Sequence, residues 1–107
     1  MNWNNSNNKQ FVEAILLLQT PEEAQAFLRD LLTEGEINEF GKRLQVAHML
    51  TEKVPYSQIE KETGLSSATV ARVSKWLNDG MGGYKAMLSK MIHHHLSSEM
   101  EKGLSSS

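Results

Sequence analysis

The sequence contains no cysteine, and only two of its 107 residues, Pro21 and Pro55, are proline. Without cysteine there can be no disulfides and no thiol chemistry, which is typical of proteins in a reducing compartment. The scarcity of proline leaves room for long helices. The longest apolar run, residues 14–18, is far shorter than the roughly 20 residues of a membrane span, and residues 1–5 lack the features of a secretion signal. We therefore expect a cytoplasmic protein with no membrane partner.

The usual arrangements of catalytic and metal-binding residues are also missing. No glycine-rich loop follows a strand, and the glycines of residues 80–83 are not followed by the lysine of a phosphate-binding loop. Three consecutive histidines, His93 to His95, point about 100° apart on a helix and cannot converge on one ion. The sequence therefore predicts no enzyme, no metal site and no cofactor.

Apolar residues recur at helical spacing along most of the chain. With the capping signals, this periodicity predicts an all-α protein of six helices, covering residues 9–18, 21–32, 34–52, 57–63, 67–78 and 84–101. Thr20 with Glu23, and Thr33 with Glu36, match the capping-box pattern at two of the helix starts. We expect a single domain over residues 9–102, between a flexible arm (1–8) and a flexible tail (103–107).

Residues 56–77 match the requirements of a helix-turn-helix. Gly64 stands where the tight turn needs a positive φ angle, and Ser66 is a natural N-cap for a recognition helix that begins at Ser67. Four apolar residues would form the core shared by the two helices: Ile59, Leu65, Val70 and Val73. The alternative is a helical hairpin used only for packing.

The charge distribution favours DNA as the partner of this motif. The formal net charge is −2, but residues 42–75 contain six Lys or Arg against three Asp or Glu, whereas residues 1–41 contain two against seven. Lysines and hydroxyl groups would contact phosphates, and small residues would contact base edges. The predicted DNA-binding residues are Lys53, Ser57, Gln58, Lys61, Ser66, Ser67, Ala68, Thr69, Ala71, Arg72 and Lys75. Because few long side chains would face the bases, selectivity would depend on water bridges and DNA shape.

The segment from Leu31 to Leu77 resembles the Trp repressor family. Residues 32–36 (LTEGE) and 40–44 (FGKRL) are similar to the family's helix that opens with Leu-Thr-Pro and carries Gly-x-Arg. Residues 64–72 (GLSSATVAR) are similar to its turn and recognition helix, in which Ala-Thr-Ile-Thr-Arg is characteristic. The resemblance implies a six-helix, intertwined homodimer whose two recognition helices face successive major grooves. It also implies a sequence-specific transcriptional regulator, expected to be a repressor, on a roughly palindromic operator.

The same resemblance implies a pocket for a small effector. In the family two arginines sandwich the indole ring of tryptophan, and a threonine helps to line the site. The residues expected at the corresponding pocket are Thr33, Arg43, Thr69, Arg72, Val73 and Trp76. Val73 stands where the family has glycine, and Trp76 stands where it has a small serine, so its ring could fill the indole space. A different small-molecule effector, or none, is therefore favoured over tryptophan.

The net charge leaves a second interpretation open. A helical adaptor could use the same motif surface to bind another protein, and a net charge of −2 favours that reading. The basic excess of residues 42–75 and the small recognition residues favour DNA.

Overall fold

The structure, a computed structural model, describes the backbone of residues 1–105 and the side chains of residues 1–100. All the regular secondary structure in this range is helical. The helices are α1 (Ser6–Leu17), α2 (Pro21–Leu31), α3 (Glu34–Thr51), α4 (Tyr56–Thr63), α5 (Ser67–Asp79) and α6 (Gly83–Ser105). The predicted all-α class and the order of six helices are confirmed, and no helix within residues 1–105 is long and apolar enough to cross a bilayer.

The two ends of the helical region extend further than expected. α1 begins at Ser6 because the side chain of Asn5 accepts hydrogen bonds from the backbone N–H groups of Asn7 (2.9 Å) and Asn8 (3.4 Å). Part of the segment predicted as a flexible arm is therefore helical. α6 continues to Ser105, since a single glycine in a helix lowers its stability without ending it. Of the predicted tail, residues 106–107 lie outside the described residues.

The contacts within the chain divide it into two units, with the boundary between Asn38 and Glu39. In the first unit, Phe11 of α1 packs edge-to-face on Phe27 of α2, with 6.5 Å between the ring centroids. None of residues 1–38 is buried, and several large apolar side chains of α1 are exposed, including Leu16 (78%) and Leu17 (68%). The prediction of one domain over residues 9–102 stays a prediction.

The second unit contains the hydrophobic core. Its buried apolar residues are Val46 and Ala47 of α3, Ile59 of α4, Val70, Val73 and Leu77 of α5, and Leu88 of α6. Three of the four residues predicted for the motif core are among them, and Leu65 is half-buried against the same cluster. α5 contributes residues at i, i+3 and i+7, which lie along one face of a helix. One side of α5 is thereby fixed in the core, and the opposite side is left exposed.

Candidate nucleic-acid interface

The turn between α4 and α5 is built by residues 63–66. Gly64 has a φ of +73°, and its N–H donates to the Glu60 carbonyl at 2.8 Å. The Thr63 hydroxyl donates to the Ile59 carbonyl at 2.7 Å and accepts from the Leu65 N–H at 3.3 Å. The chain can therefore change direction sharply within three residues, as the sequence predicts for a helix-turn-helix.

Ser66 begins the recognition helix as expected. Its Oγ accepts a hydrogen bond from the Thr69 N–H at 3.2 Å, and the two hydroxyls lie 3.0 Å apart. Ser66 is exposed, whereas Thr69 is half-buried. This N-cap fixes the residue at which α5 starts and so determines which side chains its first turns present.

The exposed face of α5 carries five of the eleven predicted DNA-binding residues. Those on this face are Ser67, Ala68, Ala71, Arg72 and Lys75, and all five are exposed. Their positions span an arc of about 140° around the helix, on the side away from the core. Small residues near the start of the face leave the backbone of α5 accessible. We call this surface the recognition face.

The predicted DNA-binding residues of α4 are also exposed. They are Ser57, Gln58 and Lys61. The Gln58 side-chain amide donates to Glu62 Oε1 at 2.9 Å within the same helix. A base contact by Gln58 would therefore have to replace this hydrogen bond.

Lys53 lies in the turn between α3 and α4, in a backbone conformation that is rare for its residue type. Its φ is +64°, the only positive value outside glycine in the described part of the chain. The Lys53 N–H donates to the Leu50 carbonyl and the Val54 N–H donates to the Met49 carbonyl, both at 3.1 Å. This pair of bonds is the Schellman motif, in which glycine normally occupies the left-handed position. The turn holds an exposed lysine where a glycine would be less strained.

Sequence reasoning missed a hydrogen bond that joins the two helices of the motif. The Tyr56 hydroxyl, at the start of α4, donates to Ser74 Oγ, two turns into α5, at 2.6 Å. Within residues 1–100 it is the only side-chain hydrogen bond between two helices. A separation of 18 residues carries no periodic signal, so the pair could not be found from the sequence.

Most of the residues predicted for the effector pocket are engaged with the protein itself. Arg43 pairs with Glu39 at 3.1 Å, and its guanidinium lies over the Phe40 ring, 5.4 Å from the centroid. The Arg43 Nε is buried and has no hydrogen-bond partner within the described residues. Val73 is a core residue with 2% exposure. Arg72 is exposed, and no ion pair involves it in the described part of the chain.

The remaining three pocket residues have separate environments, and one of them, Thr69, is hydrogen-bonded to Ser66 at the start of α5. Thr33, in the first unit, caps α3. Trp76 is 52% exposed, with Lys75 Nζ 5.4 Å from its ring centroid. Trp76 lines an open apolar cleft of about 520 Å³ between α3, the end of α5 and the start of α6, together with Phe40, Tyr84 and Met87. Of the residues predicted for the effector pocket, Trp76 alone lines this cleft. Sequence reasoning did not assign the other aromatic residues and the methionines of its walls to a site.

No group of three His, Asp or Glu side chains in the described part of the chain is placed to hold a metal ion. His48, the histidine of α3, pairs through its Nε2 with Glu52 at 2.7 Å.

These features define an all-α helix-turn-helix protein with an exposed recognition face. The family model described as Trp repressor protein matches residues 6–92, and the chain belongs to this family. The resemblance inferred from the sequence is thereby confirmed. Membership indicates a helical DNA-binding regulator.

Relatives and solved structures agree with this assignment. YerC of Bacillus subtilis, an uncharacterised protein, is 43% identical over 82 residues, which are 77% of this chain and 79% of YerC. A TrpR-like protein from Eubacterium eligens superimposes with a TM-score of 0.79 at 36% identity, covering 83% of this chain and 92% of that one. A proposed Trp repressor from Staphylococcus aureus gives a TM-score of 0.79 at 36% identity, covering 85% and 94%.

Proposed function

We propose that the protein is a sequence-specific transcriptional regulator, acting as a repressor in the cytoplasm, that reads the major groove of duplex DNA with α5. The observation that carries this proposal is the division of α5 into two faces. Val70, Val73 and Leu77 are buried in the core, and the opposite recognition face is exposed. A helix held in this way can enter the groove, about 12 Å wide, without giving up any of its packing.

The contacts fall into two groups with different roles. Lys53, Lys61 and Lys75 would bind phosphates and supply the salt-dependent part of the affinity. Small side chains at the start of the recognition face would meet base edges and thymine methyl groups. Water and DNA shape would contribute to selectivity, because the groups that reach the bases are short.

We propose that the functional unit is an intertwined homodimer, as the family resemblance implies. The support comes from the apolar side chains that the chain leaves exposed in both units, including Leu16 and Leu17 of α1 and Ile92 and Leu96 of α6. Burial of such side chains against a second copy would be favourable. Two recognition helices about 34 Å apart would then match half-sites one helical turn apart. Sedimentation equilibrium should give a mass of twice 12.1 kDa, and a single-chain mass at micromolar concentration would contradict the dimer.

We also propose that DNA binding does not require tryptophan. Val73 occupies the core at the position where the family has glycine, and Arg43 already has Glu39 and Phe40 as partners. An indole ring between Arg43 and Arg72 would have to displace these contacts. The measurement is the affinity for DNA with and without millimolar L-tryptophan, repeated with other amino acids and aromatic metabolites. A tightening by tryptophan would contradict the proposal, and a tightening by another compound would identify a different effector.

The experiment that tests the regulator proposal is a gel shift with pooled genomic fragments at low salt and at about 0.15 M salt. We expect retained fragments that share a sequence and that are lost with Ala71→Glu, which puts a carboxylate on the recognition face. Ala86→Glu is the matched control, because Ala86 is exposed on α6. Failure to retain DNA at either salt would contradict the regulator function and would favour the adaptor.

A further inference from the structure

We infer that Tyr56 and Ser74 form a hydroxyl clamp that fixes α4 against α5 and thereby sets how well the protein distinguishes its operator from other DNA. The inference rests on the proposed function and names two positioning residues outside the predicted set of DNA-binding residues. Its basis is the 2.6 Å hydrogen bond from the Tyr56 hydroxyl to Ser74 Oγ.

The first three residues of α4 have little else to hold them. The helix has eight residues, and its two buried residues, Ile59 and Thr63, are its fourth and its last. Pro55 at the N-cap makes no side-chain capping bond, and Tyr56, Ser57 and Gln58 are exposed. The far end of α4 is fixed by the turn at Gly64. The hydroxyl clamp is therefore the polar contact that ties the near end of α4 to α5.

The clamp lies beside the residues proposed to meet the DNA. Ser57 follows Tyr56 directly in the sequence. Ser74 stands in the sequence between Ala71 and Lys75, two residues of the recognition face. It is half-buried and lies at the border of that face. A movement of the first turn of α4 would carry Ser57 and Gln58 away from their position relative to α5. Both helices can contact the same operator only when this position is fixed.

Base contacts and phosphate contacts respond differently to such a movement. Hydrogen bonds to base edges need heavy-atom distances near 3 Å and good alignment, whereas the attraction of a lysine to phosphate declines slowly with distance. Loss of the clamp should therefore weaken binding to the operator more than binding to unrelated DNA. A role limited to folding would weaken both to the same extent, because it would only reduce the amount of active protein.

Two variants remove the clamp from its two sides, Tyr56→Phe and Ser74→Ala. We expect each to lower affinity for the operator about 3- to 10-fold, the range of a neutral hydrogen bond, with less than about a 2-fold change on a scrambled duplex. The double variant should be no weaker than the single variants, since both remove the same bond. Tyr84→Phe and Ser89→Ala are the matched controls, because neither side chain makes a hydrogen bond within the described residues.

The experiment is fluorescence anisotropy at 0.15 M salt, with the duplex most enriched by wild-type protein from a random pool and a scrambled version of it. Equal losses on both duplexes, additive effects of the two variants, or unchanged operator affinity would overturn the clamp. If wild-type protein enriches no duplex, the proposed function itself has failed. A wild-type preference that the two variants leave intact refutes the clamp alone.

Discussion

Thr33 and Glu36 exchange two hydrogen bonds across the first turn of α3. The Glu36 N–H donates to Thr33 Oγ1 at 3.1 Å, and the Thr33 N–H donates to Glu36 Oε1 at 2.9 Å. This is a complete capping box. The hydrogen bond from the Thr33 backbone N–H, and after it the nearby Thr33 hydroxyl group, favour the charged carboxylate and hold the pKa of Glu36 below its usual value.

The lowered pKa of Glu36 predicts a pH dependence of the unfolding free energy. Because the folded-state pKa lies below the unfolded-state value of 4.5, the contribution of Glu36 is present above pH 4.5 and is lost as the pH falls through the folded-state pKa. Glu36→Gln should lower stability at neutral pH and should flatten this part of the pH profile. Urea unfolding between pH 2.5 and 7, at fixed chain concentration, is the measurement.

Glu34→Gln provides the control for charge alone, since Glu34 lies in the same turn and makes no side-chain hydrogen bond in the described part of the chain. A Glu36→Gln profile that follows the Glu34→Gln profile at every pH would refute the capping-box explanation.

Gly64 and Gly35 should respond in opposite directions to alanine. A Cβ on either residue meets no close atom, so steric clash does not decide the outcome. Gly64 has a φ of +73°, and Gly64→Ala should cost about 1–2 kcal/mol in unfolding free energy. Gly35 is in α3, and Gly35→Ala should be neutral or stabilise by up to about 1 kcal/mol. Equal effects in urea unfolding would show that the left-handed turn is not the cause.

The capping boxes illustrate how far sequence reasoning could reach. The Thr33–Glu36 box is complete, but at α2 the Glu23 carboxylate accepts from the Gln19 N–H instead of that of Thr20, although the sequence pattern is the same. Local patterns thus located the helix starts, but they did not determine which backbone N–H donates to each glutamate carboxylate. The missed start of α1 had a readable signal, since Asn5 is a common N-cap residue.

Only part of the candidate site could be predicted, because the sequence patterns are local. The recognition face follows from the helical period of α5 and the turn at Gly64, both of which are local. The Tyr56–Ser74 bond and the cleft lined by Trp76 and Phe40 depend on how separate helices pack. No spacing in the sequence encodes that packing.

Lys53 should combine a cost in stability with a contribution to DNA binding. Lys53→Gly relieves the backbone strain of a φ of +64° and should raise the unfolding free energy by about 0.5–1 kcal/mol. If Lys53 binds a phosphate as proposed, the slope of log affinity against log salt should fall by about 1.

Lys53→Ala separates the two effects, because it removes the charge and keeps the strain. It should reduce the salt slope with no gain in stability. A salt slope unchanged in both variants would exclude Lys53 from the DNA interface, and an unchanged unfolding free energy in Lys53→Gly would exclude the strain.

Val73→Gly should be strongly destabilising although the family has glycine at this position. The side chain is 2% exposed in the core, so its loss should cost about 2–3 kcal/mol in burial and about 1 kcal/mol in helix propensity. Ala71→Gly, two residues earlier on the exposed face, should cost only the propensity term. Thermal or urea unfolding compares the two variants. A similar cost for both would mean that Val73 does not support the core in the assembled protein.

The most direct test of the central claim is an amide chemical-shift map of ¹⁵N-labelled protein titrated with its selected duplex. The account predicts that the largest shifts fall within residues 57–61 and 66–75, the segments of α4 and α5 that carry the predicted DNA-binding residues. It also predicts that these shifts are smaller with the scrambled duplex at 0.15 M salt, because the base contacts are then lost. Shifts concentrated on α1, α2 or α6, with residues 66–75 unchanged, would contradict it.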